Sequence, residues 1–407
     1  MISRFNRFIC NDNNVVIYNT LSKSIINIPD ASKKEVIEYL NNYEGKELYD
    51  IGILSKSTED EGNILSNLEK SVKESKNVLM VMLIMTYSCN SCCEYCFENK
   101  NLVMEDKIDI NNTVNYILNK MNEGFSELEI HYFGGEPLIK YKDILEINNM
   151  LKLSGVKFRT NVITNGTLLT RKMVLSLLEN NIRNYQITID GTKELHNKRR
   201  PLKNGESSFD MIIQNLNSII DLPVSINIRI NVDSENVESL PEIYNSLPSS
   251  IKNSGLNSIY VSPVVGVMDK NFKNTMETRY KVIAKCYELI DEHKLNIDIP
   301  DPSYVPCPNM TNDSAFYIDL SGNKFTCGGF VGKYDKVESV YDRLTEYGNK
   351  RRDSLPTKTK CHTCELSPIC LGGCSYEADA FGEFCQKEYL GKVLDLYVLN
   401  KIGENHD

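Results

Sequence analysis

Three cysteines are the residues whose spacing most clearly suits chemistry in this chain. Cys89, Cys93 and Cys96 follow the apolar stretch 78–85, and Cys92 lies between them without fitting the pattern. At CxxxCxxC spacing, three thiolates can hold three irons of a four-iron cluster. A cluster with four protein ligands is coordinatively complete, whereas one with three leaves an iron open to a small molecule. The spacing therefore favours a catalyst over an electron carrier.

This loop resembles the signature of radical S-adenosylmethionine (radical SAM) enzymes, with Tyr95 as the aromatic residue before the last cysteine. The resemblance implies a [4Fe-4S] cluster on Cys89, Cys93 and Cys96. Its open iron would be chelated by the amino and carboxylate groups of SAM, which an electron then cleaves to a 5'-deoxyadenosyl radical. An electron donor such as flavodoxin or ferredoxin is implied as well. A zinc knuckle or a redox pair is the alternative, although zinc ligands usually come as paired CxxC or with histidine.

A second motif, Gly134-Gly135-Glu136-Pro137, is predicted between a strand and a helix, where proline suits the first helical turn. The glycines let a ligand approach the backbone, and the carbonyls and Glu136 can accept hydrogen bonds from a cationic amino group. The motif resembles the GGEP motif of radical SAM enzymes. That resemblance implies that Gly134, Gly135 and Glu136 hold the amino group of SAM. The alternative is a tight turn whose glutamate is favoured by the helix dipole.

A third segment begins at Thr188, Asp190 and Gly191 and ends at Arg200. It resembles the S-x-D-G segment, followed by H-x-x-x-R, of peptide-modifying and sulfatase-maturing radical SAM enzymes. The resemblance implies that Thr188, in place of the usual serine, contacts SAM. It also implies that Arg200 pairs with the SAM carboxylate, which the planar guanidinium suits. Arg200 on a solvated loop is the alternative, and His196 is expected to order the loop rather than to transfer protons.

Seven more cysteines lie toward the end of the chain, at Cys307, Cys327, Cys361, Cys364, Cys370, Cys374 and Cys385. Their order, with a glycine before the second, resembles the SPASM extension of radical SAM enzymes, which carries two auxiliary [4Fe-4S] clusters. A zinc ribbon on Cys361 and Cys364 is the alternative, but it would leave five of these cysteines unexplained.

The same resemblance implies how these cysteines are shared between the auxiliary clusters. One cluster would be bound by Cys361, Cys364, Cys370 and Cys385. The other would be bound by Cys307, Cys327 and Cys374. Because this second set lacks a fourth cysteine, Asp313, water or a substrate thiolate could take the open position. The expected cofactors are therefore three [4Fe-4S] clusters and SAM.

Composition limits the class of protein. The chain has 407 residues, of which 41% are hydrophobic and 25% charged, as in soluble globular proteins. A net charge of -9 argues against nucleic acid as the main partner, because phosphate binding needs clustered Lys and Arg. No secretory signal is visible, and the run 78–85 is far shorter than the ~20 residues that span a bilayer. We therefore predict a cytoplasmic protein without a membrane partner, in which 13 cysteines indicate metal sites rather than disulfides.

The region 78–295 is predicted to position the first three motifs. Short apolar runs alternate with amphipathic stretches, which is typical of repeated βα units and a parallel sheet. Strands are predicted at 78–87, 128–133, 156–164, 185–190, 224–232 and 258–265. Six units are too few for a closed eight-stranded barrel, so an α/β fold with a partial (β/α)6 TIM-like barrel is expected. The motifs follow successive strands and should share the rim where such barrels carry their chemistry.

The rest of the chain forms two further predicted domains. Residues 1–75 show strands at 5–10 and 15–28, then helices at 32–42, 46–53 and 59–74, compatible with a winged helix. Radical SAM enzymes that modify ribosomally made peptides often begin with such a module. It binds the leader peptide of the precursor by adding it as a strand. A structural cap on the barrel is the alternative. Residues 296–407 are expected to be the SPASM domain.

These features lead to a functional hypothesis: the chain is a maturase that abstracts hydrogen from a precursor peptide and forms a cross-link. The expected product is a thioether from a cysteine thiol to a carbon. Sulfatase maturation is the alternative. Those enzymes have little sequence before the cysteine loop and an aspartate after the G-x4-C cysteine, whereas 88 residues precede Cys89 and Gly328 follows Cys327 here. A non-peptide substrate and a non-catalytic zinc scaffold remain further alternatives. No side chain stands out as the catalytic acid or base.

Overall fold

The structure is a computed structural model. It describes residues 1–11, 14–74, 76–94, 96, 108–264, 272–302, 314–325, 327–331, 361, 363–370, 372–374, 377 and 385–404.

The first 75 residues form a small sheet followed by helices, in the predicted order. The strands are β1 (Asn6–Asn11), β2 (Asn14–Asn19) and β3 (Ile25–Ile28), and they pair antiparallel in that order. The helices are α1 (Lys33–Asn41), α2 (Glu47–Asp50) and α3 (Thr58–Glu74). A capping box fixes the start of α1, because the Ser32 hydroxyl accepts from the Glu35 N–H while the Glu35 carboxylate accepts from the Ser32 N–H.

A larger sheet of eight strands follows. Its strands are β4 (Val78–Thr86), β5 (Glu127–Gly134), β6 (Phe158–Thr164), β7 (Asn184–Ile189), β8 (Ser225–Val232), β9 (Ser258–Pro263), β10 (Ala315–Asp319) and β11 (Lys324–Phe325). The six predicted strands, β4 to β9, are parallel neighbours in chain order, which confirms the α/β class and the partial barrel. Sequence analysis missed β10 and β11. The strand β10 pairs parallel with β4, and β11 pairs antiparallel with β10.

Helices connect the strands of this sheet and follow it. They are α4 (Ile110–Met121), α5 (Tyr141–Ser154), α6 (Arg171–Glu179), α7 (Lys193–Arg199), α8 (Ser208–Ser218), α9 (Leu240–Ser246), α10 (Ser249–Asn253), α11 (Phe272–Glu292), α12 (Ser367–Cys370) and α13 (Lys387–Glu404). A 3-10 turn, Pro137–Lys140, precedes α5. None of the helices in the described ranges is both long enough and apolar enough to cross a membrane.

The two faces of the large sheet differ. Alternate residues, such as Ile228 and Ile230 of β8, are buried in the main core together with residues of α8 and α11. Cys286 of α11 lies in this core with 0% exposure, and burial raises the pKa of its thiol to about 12. The intervening residues face away from the helices. We call this opposite side the inner face of the sheet.

The N-terminal sheet is held between two helical layers. Val15 and Ile17 of β2 pack against α1. The opposite side of the sheet shares a core with α13 and the turn around α12, made by Ile9, Val16, Tyr18, Leu366, Ile369, Leu394 and Val398. The N-terminal module therefore packs against the segment that carries Cys364 and Cys370, rather than standing alone.

Arg7 of β1 adds a polar link to this shared core. Its Nε and Nη2 donate to the two carboxylate oxygens of Asp395 at 2.5 and 2.7 Å, and its Nη1 lies 3.4 Å from Glu365. Such a two-pronged contact is among the stronger ion pairs, and these side chains are only 20 to 30% exposed. The pair fixes the position of β1 on α13.

Arg7→Gln should lower the free energy of unfolding by about 2 kcal/mol, because the half-buried Asp395 would lose its charged partner. Arg171→Gln is the matched control, since Arg171 makes the same contact with Asp221 at an exposed site. Urea unfolding of both variants gives the comparison, and hydrogen exchange should be faster in β1 of Arg7→Gln only. Equal effects of the two substitutions would contradict the assigned role of Arg7.

Candidate active site

The cysteine loop that follows β4 is held by a neighbouring segment of backbone. Cys92 N donates to Pro201 O at 2.9 Å, and Glu94 N donates to Arg199 O at 3.0 Å. Ser91 and Leu202 form an isolated antiparallel bridge beside them. The cysteine loop and the segment ending at Arg200, which sequence analysis treated as separate motifs, therefore form one hydrogen-bonded unit.

The thiols of this loop suit a cluster only in the deprotonated state. Burial raises the pKa of Cys89 and Cys93, and the nearby positive charge of Arg200 opposes that rise. Cys93 also contributes to the rise in the pKa of Cys89, and Cys96 to the rise in that of Cys93. Within the described ranges, no three His, Cys, Asp or Glu side chains gather around a single-ion site. Ligands of a cluster bind different irons, so they do not need to converge on one point.

Gly134 and Gly135 are required by a close backbone contact. A Cβ at Gly134, whose φ is +126°, would lie 2.3 Å from Thr86 O, and one at Gly135 would lie 2.5 Å from Ser88 O. Gly135 N donates to Thr86 O at 2.8 Å, and Glu136 N donates to Ser88 O at 3.0 Å. The glycines thus allow this loop to pack on the residues that lead into the cysteine loop.

The Glu136 side chain turns into the protein and has 0% exposure. Its Oε1 accepts from Leu138 N at 3.1 Å and from Thr164 Oγ1 at 2.7 Å, while Oε2 accepts from Asn165 N at 2.8 Å. Burial raises the pKa of this carboxyl group, and the three donors oppose the rise. These contacts join the loops after β5 and β6. The predicted contact of Glu136 with SAM stays a prediction.

Asn165, at the end of β6, contacts the cysteine loop directly. Its Nδ2 lies 2.8 Å from Asn90 Oδ1 and 3.9 Å from Cys89 Sγ, while its Oδ1 accepts from Thr167 N at 2.9 Å. Sequence analysis gave this asparagine no role. The signal that could have found it is the polar side chain directly after a buried strand, at the edge where the other motifs end.

Asp190 orients Arg200. The carboxylate of Asp190 has 0% exposure and lies 3.5 Å from Arg200 Nη1, and its backbone carbonyl accepts from Asn236 Nδ2 at 2.7 Å. The hydrogen bond from Glu94 N to Arg199 O places the neighbouring Arg200 next to the cysteine loop, and its charge opposes the rise in the pKa of Cys93. The structure therefore brings Arg200 close to the cysteine loop, where the sequence predicted an anion-binding side chain.

His196 orders this segment. Asp190 N donates to His196 Nδ1 at 3.2 Å, and the ring packs edge-on against Phe209 with centroids 5.7 Å apart. The side chain has 0% exposure, and burial, with a smaller effect of Arg200, lowers the pKa of the imidazole to about 3. A neutral, buried ring that accepts a backbone hydrogen bond confirms the expected ordering role.

Thr188 lies on the inner face of β7, opposite Arg229 of β8 in the strand register. This places it two residues before Asp190, near the ends of the strands that carry the other motifs. Arg229 was not among the predicted site residues, because its strand shows no motif in the sequence.

The C-terminal cysteines are described in part. The pKa of Cys370 is raised to about 11, mainly by burial and then by neighbouring thiols, those of Cys364, Cys385 and Cys361. The thiols of Cys361, Cys364 and Cys385 therefore act electrostatically on Cys370, and the sharing of one auxiliary cluster by these four cysteines stays a prediction. Cys327 and Cys374 are also described, but their grouping with Cys307 stays a prediction. Tyr95, Cys307 and Asp313 lie outside the described residues.

Comparisons with known proteins find similar sequences. Residues 83–247 match the model of the radical SAM superfamily. A cysteine-type anaerobic sulfatase-maturating enzyme of Clostridium novyi is 22% identical over 335 residues, covering 74% of this chain and 88% of that enzyme. A PqqA peptide cyclase of Bradyrhizobium diazoefficiens is 25% identical over 336 residues, covering 77% of this chain and 85% of the cyclase.

A likeness of fold extends over almost the whole chain. The crystal structure of Streptococcus suis SuiB bound to precursor peptide SuiA matches with a TM-score of 0.57 and 15% sequence identity. The match covers 96% of this chain and 99% of SuiB. It therefore includes the N-terminal module as well as the large sheet.

The buried neutral state of His196 predicts a pH-dependent stability. Because its folded pKa lies below the ordinary value of about 6.5, protonation favours the unfolded chain, and stability is lost as the pH falls from about 6.5 toward 3. Between pH 7 and pH 5 this loss should be about 2 kcal/mol. Urea unfolding of His196→Gln should show a correspondingly weaker pH dependence, whereas His293→Gln, at an exposed position, should follow the wild type. Parallel pH profiles for all three proteins would refute the assignment.

Proposed function

We propose that this chain, a radical SAM enzyme whose radical SAM domain lies at residues 83–247, matures a ribosomally made precursor peptide. The observation that carries the proposal is the N-terminal module. Its strand β3 pairs with β2 on one side, and no other strand in the described parts of the chain covers its second edge. An open strand edge can bind an extended peptide through main-chain hydrogen bonds.

The radical SAM domain implies a [4Fe-4S] cluster and SAM. In our proposal Cys89, Cys93 and Cys96 hold the cluster. When bound, it supplies the electron that cleaves SAM to a 5'-deoxyadenosyl radical, which abstracts hydrogen from the substrate. The chain's own contribution is to hold the cysteine loop in place through its backbone hydrogen bonds. The positive charge of Arg200 opposes the rise that burial causes in the pKa of Cys89 and Cys93.

The remaining rim residues orient SAM in this proposal. Arg200, held by Asp190, pairs with the SAM carboxylate. The carbonyls of Gly134 and Gly135 accept from its amino group, and Glu136 acts by fixing their loop through buried hydrogen bonds. Thr188, on the inner face, contacts SAM from the adjacent strand. Tyr95 is assigned to the same site by its place in the motif.

Two auxiliary [4Fe-4S] clusters belong to the proposal. Cys361, Cys364, Cys370 and Cys385 would hold one, which the proximity of these thiols supports. Cys307, Cys327 and Cys374 would hold the other, with Asp313, water or a substrate thiolate in its open position. An external electron donor such as flavodoxin or ferredoxin would supply the electrons.

The proposed product is a thioether between a cysteine thiol and a carbon atom of the same peptide. Forming this bond removes two hydrogens: one would leave as an atom to the 5'-deoxyadenosyl radical, and the other as the thiol proton, while its electron would pass to the proposed auxiliary cluster of Cys307, Cys327 and Cys374. Maturation of a sulfatase is the second candidate, favoured by the Clostridium novyi relative. The Gly328 that follows Cys327 and the N-terminal module favour the first.

Reconstituted enzyme, SAM and reductant should convert the short peptide encoded beside this enzyme to a product two hydrogens lighter, as measured by mass spectrometry. Cys93→Ala should abolish both this product and 5'-deoxyadenosine, because one iron would lose its ligand. Cys10→Ala, which removes an exposed cysteine of β1, is the control and should stay active. Abundant 5'-deoxyadenosine with unmodified peptide would contradict cross-linking, and an aldehyde on a sulfatase peptide would support the second candidate.

Binding of the peptide's leader should protect the amides of β3 from hydrogen exchange. Pairing on the open edge of this strand would shield its backbone. The opposite edge strand β1 should change less, because Arg7 already ties it to Asp395 of α13. Hydrogen-exchange mass spectrometry with the full-length peptide and with its leaderless form gives the test. Protection by the leaderless peptide alone, or protection elsewhere without β3, would rule out strand addition to β3.

A further inference from the structure

Arg229 lies on the inner face of the large sheet. In the strand register it stands between Thr188 of β7 and Tyr260 of β9. Its chain neighbours Ile228 and Ile230 are buried in the core on the helical side. Because side chains alternate along a strand, Arg229, Thr188 and Tyr260 share the inner face. A guanidinium therefore stands in the row of residues that contains Thr188, next to the proposed SAM site.

The hydrogen bonds of Arg229 go to neutral groups. Its Nε donates to Asn231 Oδ1 at 2.9 Å, and its Nη2 donates to Ser262 Oγ at 2.9 Å. A guanidinium has five N–H donors in a planar fork, and these two bonds use only two of them. Both donors of Nη1 and one of Nη2 are not engaged by these contacts. The fork is thus held in place at one side only.

Arg229 also differs from comparable arginines in whether its charge is paired with a carboxylate. The other described arginines that are partly or fully buried each form an ion pair with a carboxylate, namely Arg4, Arg7, Arg199, Arg200 and Arg279. Arg229 forms no ion pair with any residue that the structure describes. Burying a charge without a counter-charge is costly, so an anionic ligand would stabilise this position.

The described acids around Arg229 are paired with other arginines or lie farther away along the sheet. Tyr260 OH donates to Gln186 Oε1 at 3.0 Å, so the row beside Arg229 consists of neutral hydroxyl and amide groups. Glu129 on β5, an acid of the same face, is held by Arg159 at 2.6 Å. Asp233, just after β8, is held by Arg199 at 3.0 Å. Asp298, which bridges to Tyr260, is exposed and lies one strand farther from Arg229. A carboxylate that enters beside β8 would therefore meet the cation of Arg229 first.

We infer that Arg229 binds a carboxylate of the substrate peptide inside the partial barrel. The inference rests on the peptide substrate proposed above. A planar guanidinium with two adjacent donor groups matches a carboxylate in a bidentate arrangement. The carboxylate can belong to an acidic side chain or to the C-terminus, and both present the same chemistry to Arg229. Its position beside Thr188 would bring the bound residue close to where the radical forms.

Three small probe molecules distinguish a side-chain carboxylate from a C-terminal carboxylate. N-acetyl-glutamate amide carries a side-chain carboxylate only, N-acetyl-glutamine carries a terminal carboxylate only, and N-acetyl-glutamine amide carries neither. Calorimetric titration of the anaerobic holoenzyme with saturating SAM should show at least one carboxylate probe binding about tenfold or more tightly than the neutral amide. Arg229→Gln should reduce this preference to less than about twofold. Arg183→Gln, at an exposed arginine outside the inner face, should keep it.

Several results would overturn the inference. The first is equal binding of all three probes to the wild type, and the second is a carboxylate preference that survives Arg229→Gln. The third is binding of the probes only when SAM is absent, because that result would assign Arg229 to the SAM carboxylate. If Arg229→Gln loses iron or helical content, Arg229→Lys replaces it. This variant keeps the charge but not the fork, so its preference should be smaller, and an unchanged preference would refute bidentate binding. None of these titrations requires peptide turnover, so a failure here is distinct from a failure of the maturation assay.

Discussion

The site depends on a close contact between two stretches of backbone. Gly134 and Gly135 pack so tightly on residues 86–88 that a Cβ at either position would overlap a carbonyl oxygen. This contact fixes the start of the cysteine loop relative to the end of β5. A second set of backbone hydrogen bonds, from the cysteine loop to residues 199–203, fixes its other side. The loop is therefore positioned mainly by main-chain groups, which leaves its thiols available for a cluster.

Buried polar groups then connect the ends of neighbouring strands. Glu136 links the loops after β5 and β6, and Asn165 extends that link to the cysteine loop. Asp190 orients Arg200, while His196 supports the backbone of Asp190. Most of these groups are nearly inaccessible to water, where an unmade hydrogen bond is costly. Each loop is consequently held in one arrangement, and the charge of Arg200 stays near the thiols.

The N-terminal module is part of the same architecture. One side of its sheet shares a core with α13 and with the turn that carries Cys364 and Cys370. Arg7 connects that sheet to Asp395 near the other end of the sequence. In the proposed function, the element that recognises the peptide is therefore packed against an auxiliary cluster site. A change in the packing of one region should alter the packing of the other, because the two regions share one core and are not joined only by a linker.

The sequence by itself determined the local features: the alternation of apolar runs placed all six central strands, and cysteine spacing identified the loop after β4. These signals lie within a few residues, where periodicity and turn chemistry act. Only the tertiary structure decided that β10 joins β4, that Glu136 turns inward, and that Arg229 stands on the inner face without an acidic partner among the described residues. Those outcomes depend on contacts between distant segments. The sequence pattern of a short strand or of a single arginine does not indicate which residues it will contact. Tertiary packing determines those contacts.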